Sequence, residues 1–205
     1  VYGIGTGGVV LFNAPTVNNS LMLEAGASGG SFGAFNYNLK LQLPKHLFAY
    51  EEQSADGYRA HTEMKRRVAS YQTQLPTFAK ASLSIHAIYS DLNYQTPGAL
   101  TLTEYQANPK QARPTVGANQ GAVLANAGIQ QQALLLGLVH RYAFNEKWRN
   151  PTSLYGFYNE TENPAIQNYE LKKEPHFGGR TAFVYEPAEN ISLHFGGELQ
   201  KGDFS

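Results

Sequence analysis

The sequence predicts an all-β chain, a partial transmembrane antiparallel β-barrel of about nine strands. Three observations predict it. Apolar and polar residues alternate with period two over much of the chain, which gives a strand one apolar and one polar face. Short and long connections between the alternating segments also take turns, as they do in outer-membrane barrels. Finally, only 16% of the 205 residues are charged, and 13 Tyr, 11 Phe and 20 Gly are present, against roughly 25% charge in an ordinary soluble domain.

Composition excludes several functions. The 16 Lys+Arg are balanced by 16 Asp+Glu, so the basic excess of a nucleic-acid binder is absent. With no Cys there is no disulfide scaffold, thiolate zinc site or thiol catalysis. No run of about 18 apolar residues offers a transmembrane helix. The opening Val1-Tyr2-Gly3-Ile4-Gly5 lacks the basic and apolar regions of a signal peptide.

The first strand is expected at Leu21 to Ala27, with Leu21, Leu23, Ala25 and Ala27 on one face and Glu24 on the other. Phe35 to Leu43 alternates strictly: Phe35, Tyr37, Leu39, Leu41 and Leu43 against Asn36, Asn38, Lys40 and Gln42. From Ala79 to Tyr89 the odd positions are apolar and only Ile88 breaks the polar parity of Lys80, Ser82, Ser84 and His86. Phe177 to Tyr185 and Ile191 to Leu199 alternate more weakly, and further strands are expected near 47–55, 66–75, 134–144 and 153–160. Tight turns fall at Pro44-Lys45-His46, Pro76-Thr77, Asn145-Glu146-Lys147 and Ala188-Glu189-Asn190, with long polar stretches near 53–65, 91–132 and 160–175. Tyr142, Phe144, Trp148, Phe183 and Tyr185 cluster beside tight turns, where a barrel carries its interfacial aromatics. Alternation alone fits a soluble β-sandwich equally well; the one-sided long loops favour the barrel.

Residues 2–11, Tyr-Gly-Ile-Gly-Thr-Gly-Gly-Val-Val-Leu, lack the Gly-Lys-Ser/Thr ending of a phosphate loop and the helix that a dinucleotide fold requires. They closely resemble the last plug strand of TonB-dependent outer-membrane receptors. Further matches follow in that family's order: Asp56-Gly57-Tyr58-Arg59-Ala60-His61; then Tyr94-Gln95-Thr96-Pro97-Gly98-Ala99-Leu100-Thr101 through Glu104-Tyr105 to Pro114; then Phe177-Gly178-Gly179-Arg180 and Phe195-Gly196-Gly197-Glu198. The second segment is similar to that of receptors of the ferric citrate type, with Ala99 where a second Gly is usual. The resemblance implies a plug inside a 22-stranded barrel, of which residues 1–17 would be the plug's end and 18–205 the first part of the barrel. The signal peptide, the TonB-contacting segment and the remaining strands would lie outside this chain. It further implies a Gram-negative outer-membrane location and import of a ferric chelate, or another scarce small ligand, with energy from TonB. Outer-membrane lipid and lipopolysaccharide would be its other partners. A passive porin or adhesin barrel, or a soluble β-sandwich binding module, are the alternatives.

No enzymatic constellation or cofactor motif is expected. The overlapping Gly-x-Ser-x-Gly patterns at Gly26 to Gly33 precede an alternating strand rather than the helix of a nucleophile elbow. His46, His61, His86, His140, His176 and His194 lack metal-ligand spacing, although His86 and His194 share the polar parity and could meet in space. Lys65-Arg66-Arg67 starts a strand on the loop side, facing either anionic lipopolysaccharide or solvent. For ligand binding the candidates are Arg59, His61, Tyr94, Gln95 and Arg113, all within the matching loop segments. Arg binds carboxylates through a bidentate fork, or else braces loops through Asp and Glu. Tyr58 and Tyr105 offer stacking surfaces.

Overall fold

A computed structural model describes residues 17–78, 80–164 and 169–203. The expected plug end, with its Tyr2 to Leu11 motif, lies almost wholly outside these residues, as does Ala79. The described chain is all-β: one antiparallel sheet whose nine strands pair in chain order, each with the next. The strands are β1 (Met22–Gly29), β2 (Phe35–Leu43), β3 (His46–Ala55), β4 (Met64–Phe78), β5 (Ala81–Gln95), β6 (Gly128–Ala143), β7 (Trp148–Pro164), β8 (Tyr169–Ala188) and β9 (Ile191–Gly202). One short helix, α1 (Leu102–Ala107), interrupts the β5–β6 connection. The sheet does not close on itself, since β1 and β9 stand at opposite ends of the strand order. The two packed sheets of a sandwich are not found among the described residues.

Register puts one apolar band across the sheet. Leu41, Phe48, Tyr71, Ala87, Leu136, Gly156 and Phe177 stand opposite one another in a single cross-strand row. The neighbouring row holds Leu39, Tyr50, Ala69, Tyr89, Leu134, Tyr158 and Pro175. At the turn end the same face carries aromatic pairs: Tyr142–Phe144 at 4.9 Å, Phe144–Phe183 at 6.0 Å and Trp148–Tyr185 at 4.4 Å between centroids. At the loop end it turns polar in one step. Tyr37 and Tyr50 donate to Glu52 at 3.0 and 2.8 Å, and Glu52 also pairs with Lys65 (2.9 Å) and Arg67 (3.3 Å). Tyr158 donates to Glu160 at 2.7 Å, and Lys173 lies 3.6 Å from Glu160.

The opposite face holds Glu24 with Lys40 (3.2 Å), the Gln131–Asn159–Glu174 chain of hydrogen bonds (2.8 and 2.7 Å), and Arg141, Arg180 and Glu198. An apolar strip of Ile88, Leu135 and Phe157 crosses it. Nothing covers either face among the described residues. Leu39, Leu136, Leu154 and Phe177 are each 46–59% exposed, so the sheet carries no interior core of the usual kind.

Four expectations are corrected. The tight turn placed at Pro76-Thr77 lies inside β4, where Pro76 stands opposite Ser82 and Phe78 opposite Ala81. The stretch 91–132 is not loop throughout, because β5 runs to Gln95 and β6 starts at Gly128. Likewise 160–175 is mostly strand, with Glu160 opposite Lys173 and Pro164 opposite Tyr169. In both cases backbone pairing continues past the apolar band, because a ladder is held by N–H and C=O groups and not by hydrophobicity. His86 and His194 do not meet: they lie on β5 and β9 with three strands between them and six residues off register, roughly 28 Å at ~4.8 Å per strand and ~3.4 Å per residue. The Gly-rich segment at Gly30 is the hairpin between β1 and β2, where Gly33 takes φ +67°.

Candidate functional site

Connections at one end of the sheet span 30–34, 56–63 and 96–127, with a fourth, short one between Pro164 and Tyr169, while those at the other end are confined to 44–45, 79–80, 144–147 and 189–190. The first three of these loops are stitched together by main-chain bonds. Asp56 and Gly57 N–H donate to the Phe32 carbonyl at 2.9 and 3.1 Å. Ala60 N–H donates to Lys110 O at 2.7 Å, and Gln95 N–H to Glu63 O at 2.9 Å. Rings add to the seam: Phe32 meets Tyr58 edge-on at 5.4 Å, and the Lys110 ammonium sits 5.6 Å from the Tyr58 centroid, a cation–π arrangement.

The long loop has structure of its own. Thr101 caps α1, its Oγ1 accepting from Glu104 N–H (3.3 Å) while the Glu104 carboxylate accepts from Thr101 N–H (2.7 Å), a reciprocal capping box. Downstream, Ala112, Ala122 and Ala127 form a small buried cluster. Ala122 N–H donates to Arg113 O and Ala127 N–H to Ala122 O, both at 3.0 Å. Thus 96–127 is a folded element, where the sequence marked only a long polar stretch. The segment Thr115–Gln120 stays exposed.

Arg59 donates from Nε to Gln111 O (3.1 Å) and from Nη2 to Gly98 O (2.9 Å). It therefore ties the β3–β4 loop to both ends of the α1 segment. His61 Nε2–H donates to Ala127 O at 2.7 Å, the same carbonyl that accepts from Thr96 N–H. Arg113 donates from Nη2 to Gln120 O (2.9 Å), and its N–H donates to Pro97 O (2.7 Å). Gly98 joins the two arginines: it has φ +72°, and a Cβ there would lie 3.0 Å from Arg113 Cβ. The bracing expected of these arginines thus runs to carbonyls, not to Asp or Glu. Neither Arg59 nor Arg113 has a carboxylate partner among the described residues.

The five candidates do not form one cluster. Arg59, His61 and Arg113 belong to the loop knot, whereas Tyr94 and Gln95 are the last residues of β5 and project to opposite faces of the sheet. Beside the knot lies an open recess of about 460 Å3, lined by Lys110, Arg113, Thr115, Val123 and Leu124 among others. Two cations beside apolar side chains suit an anion with an organic body. Of the candidates only Arg113 lines it. Lys110, Val123 and Leu124 were missed, because a solvated loop cation and isolated loop aliphatics carry no local signal. No metal-holding group of His, Asp or Glu occurs among the described residues. No known protein-family model matches the chain.

Proposed function

We propose that the chain is part of an outer-membrane active-transport receptor that binds a ferric chelate, ferric citrate or a siderophore complex, and imports it with energy from TonB. One observation carries this reading: an exposed apolar band that crosses the sheet from β1 to β8, with aromatic pairs at its turn-end border and charged groups at its loop-end border. In water such a face needs a covering layer; in a bilayer it is the lipid contact. On β5 the outward band runs from Ala81 to Tyr89 and ends at Asp91, and on β6 from Leu134 to Tyr142, ending at Gln132. Nine residues each is the length of a tilted membrane-crossing strand.

Two further features support the reading. The open edges of β1 and β9 require additional strands in lipid, where unpaired backbone is not tolerated. The incoming chain is also tied to the turn end on the polar face: Asn18 O accepts from Lys45 N–H (3.0 Å) and from Gln42 Nε2 (3.2 Å), with Gln42 buried. That is the entry a plug leading into the first strand requires. The ligand is held at the loop end, with Arg113 and Lys110 meeting its carboxylates and Arg59 and His61 holding the loops that present them.

Radiolabelled ferric citrate and a panel of ferric siderophores, offered to cells producing the whole receptor, test this. Binding that persists without TonB while uptake stops is the expected result. Uptake indifferent to TonB identifies a passive barrel, and recovery of the protein in a detergent-free soluble fraction refutes the membrane reading.

A further inference from the structure

At the turn end, on the polar face and far from the loop knot, β5 to β9 border an open recess of about 1150 Å3. Lys80, Arg141, Arg149, Arg180, His194 and Glu198 line it. The cations come from register: Arg141 stands opposite Pro151 on β7, Arg149 lies two residues before Pro151, and Arg180 stands opposite Ser153. With ~4.8 Å between strands and ~3.4 Å per residue, their Cα atoms are roughly 8–14 Å apart. The surrounding Ser82, Ala143, Ser153, Ala182 and Gly196 are small and leave the guanidinium groups room.

The charges do not cancel. Arg149 pairs with Glu186 at 2.5 Å, and Arg180 faces Glu198, which also accepts from Tyr155 OH at 3.0 Å. Lys80 reaches Phe144 O at 3.2 Å. Among the described residues Arg141 has neither a hydrogen bond nor an ion pair. Four cations against two carboxylates leave an excess of positive charge around Arg141 and Lys80, on a face where β5 to β7 place no acidic side chain nearby.

We infer that this recess is a binding site for the carboxylates of a polyanionic ligand. Arg141 offers a planar fork that takes one carboxylate in bidentate fashion, and the Lys80 ammonium offers a second positive charge. Their separate positions, on β6 and at the entry to β5, suit two separate single charges rather than one compact phosphate. The carboxylates can belong to a free polycarboxylate or to the Asp and Glu side chains of a polypeptide lying against this face. The inference does not depend on ferric-chelate binding at the loops.

Tricarballylate, a tricarboxylate lacking the hydroxyl with which citrate grips iron, and a short peptide bearing three glutamates are titrated separately into the protein in detergent. Binding of tricarballylate that falls roughly tenfold or more in each of Arg141→Gln and Lys80→Gln is expected for a free ligand. The same loss for the peptide alone assigns the site to polypeptide carboxylates. Arg66→Gln, on the same face at the other end of β4, should bind as the parent does. Raising ionic strength from about 10 to about 150 mM cuts the screening length from ~30 to ~8 Å and should weaken binding of the unmodified protein, a readout that survives if a variant fails to fold. Absence of binding by both probes, binding indifferent to the substitutions or to salt, or a preference for inorganic phosphate would overturn the inference. None of these outcomes bears on ferric citrate at Arg113.

Discussion

Leu134, Leu135 and Leu136 form an uninterrupted apolar run on β6, and adjacent positions in it should respond oppositely to charge. Leu136 belongs to the apolar band, between Ala87 and Gly156, and is 50% exposed. Leu135 points to the other face, between Ile88 and Phe157. In a bilayer, Arg at position 136 sits near mid-membrane on the lipid side, where it should cost roughly 2–4 kcal/mol. Arg at position 135 can extend into the hydrated side, losing chiefly its cross-strand contacts, about 0.2–1 kcal/mol. The assay is denaturant unfolding of the protein in lipid vesicles, comparing Leu136→Arg and Leu135→Arg with the parent. A difference of 1–4 kcal/mol, with Leu136→Arg the less stable, is expected. Equal penalties, or the reverse order, would refute the assignment of the apolar face to lipid.

The loop end yields three more tests. Gly98→Ala should destabilise the loop knot by about 1–2 kcal/mol, since φ +72° disfavours any Cβ and Arg113 leaves it no space; hydrogen exchange across 96–127 should accelerate, and unchanged exchange argues against the knot. Arg113→Gln should weaken ferric citrate binding roughly ten- to a hundredfold, measured by titration of the purified receptor, while Arg59→Gln should weaken it through loosened loops and show a matching rise in exchange. If Arg59→Gln instead lowers affinity with exchange unaltered, Arg59 is a ligand contact. Protease added to intact cells should cut within 115–120 and spare 44–45 and 189–190; cutting that requires an opened outer membrane would put the loops on the periplasmic side.

The nine strands, their antiparallel order and the sidedness of the loops were legible along the chain, because alternation and turn chemistry are local and every hairpin joins sequence neighbours. Phe35 to Leu43, strictly alternating, is the strand β2 as observed. Strand ends were not legible where polar residues keep pairing beyond the apolar band, as at Gln130 to Gln132 and Glu160 to Pro164, since composition changes there while the ladder does not. The Leu134–Leu136 run carries no period, and only its register against β5 and β7 says which leucine faces which side. The loop candidates divided for the same reason. Arg59, His61 and Arg113 were marked by residue type, but their partners, the carbonyls of Gln111, Gly98, Ala127 and Gln120, lie 7 to 66 positions away. The arginine recess at the turn end was invisible in sequence: its cations are scattered from residue 80 to 180. They share one face only because the cross-strand register sets residues that stand opposite one another, or an even number of positions away from that, on the same side of the sheet.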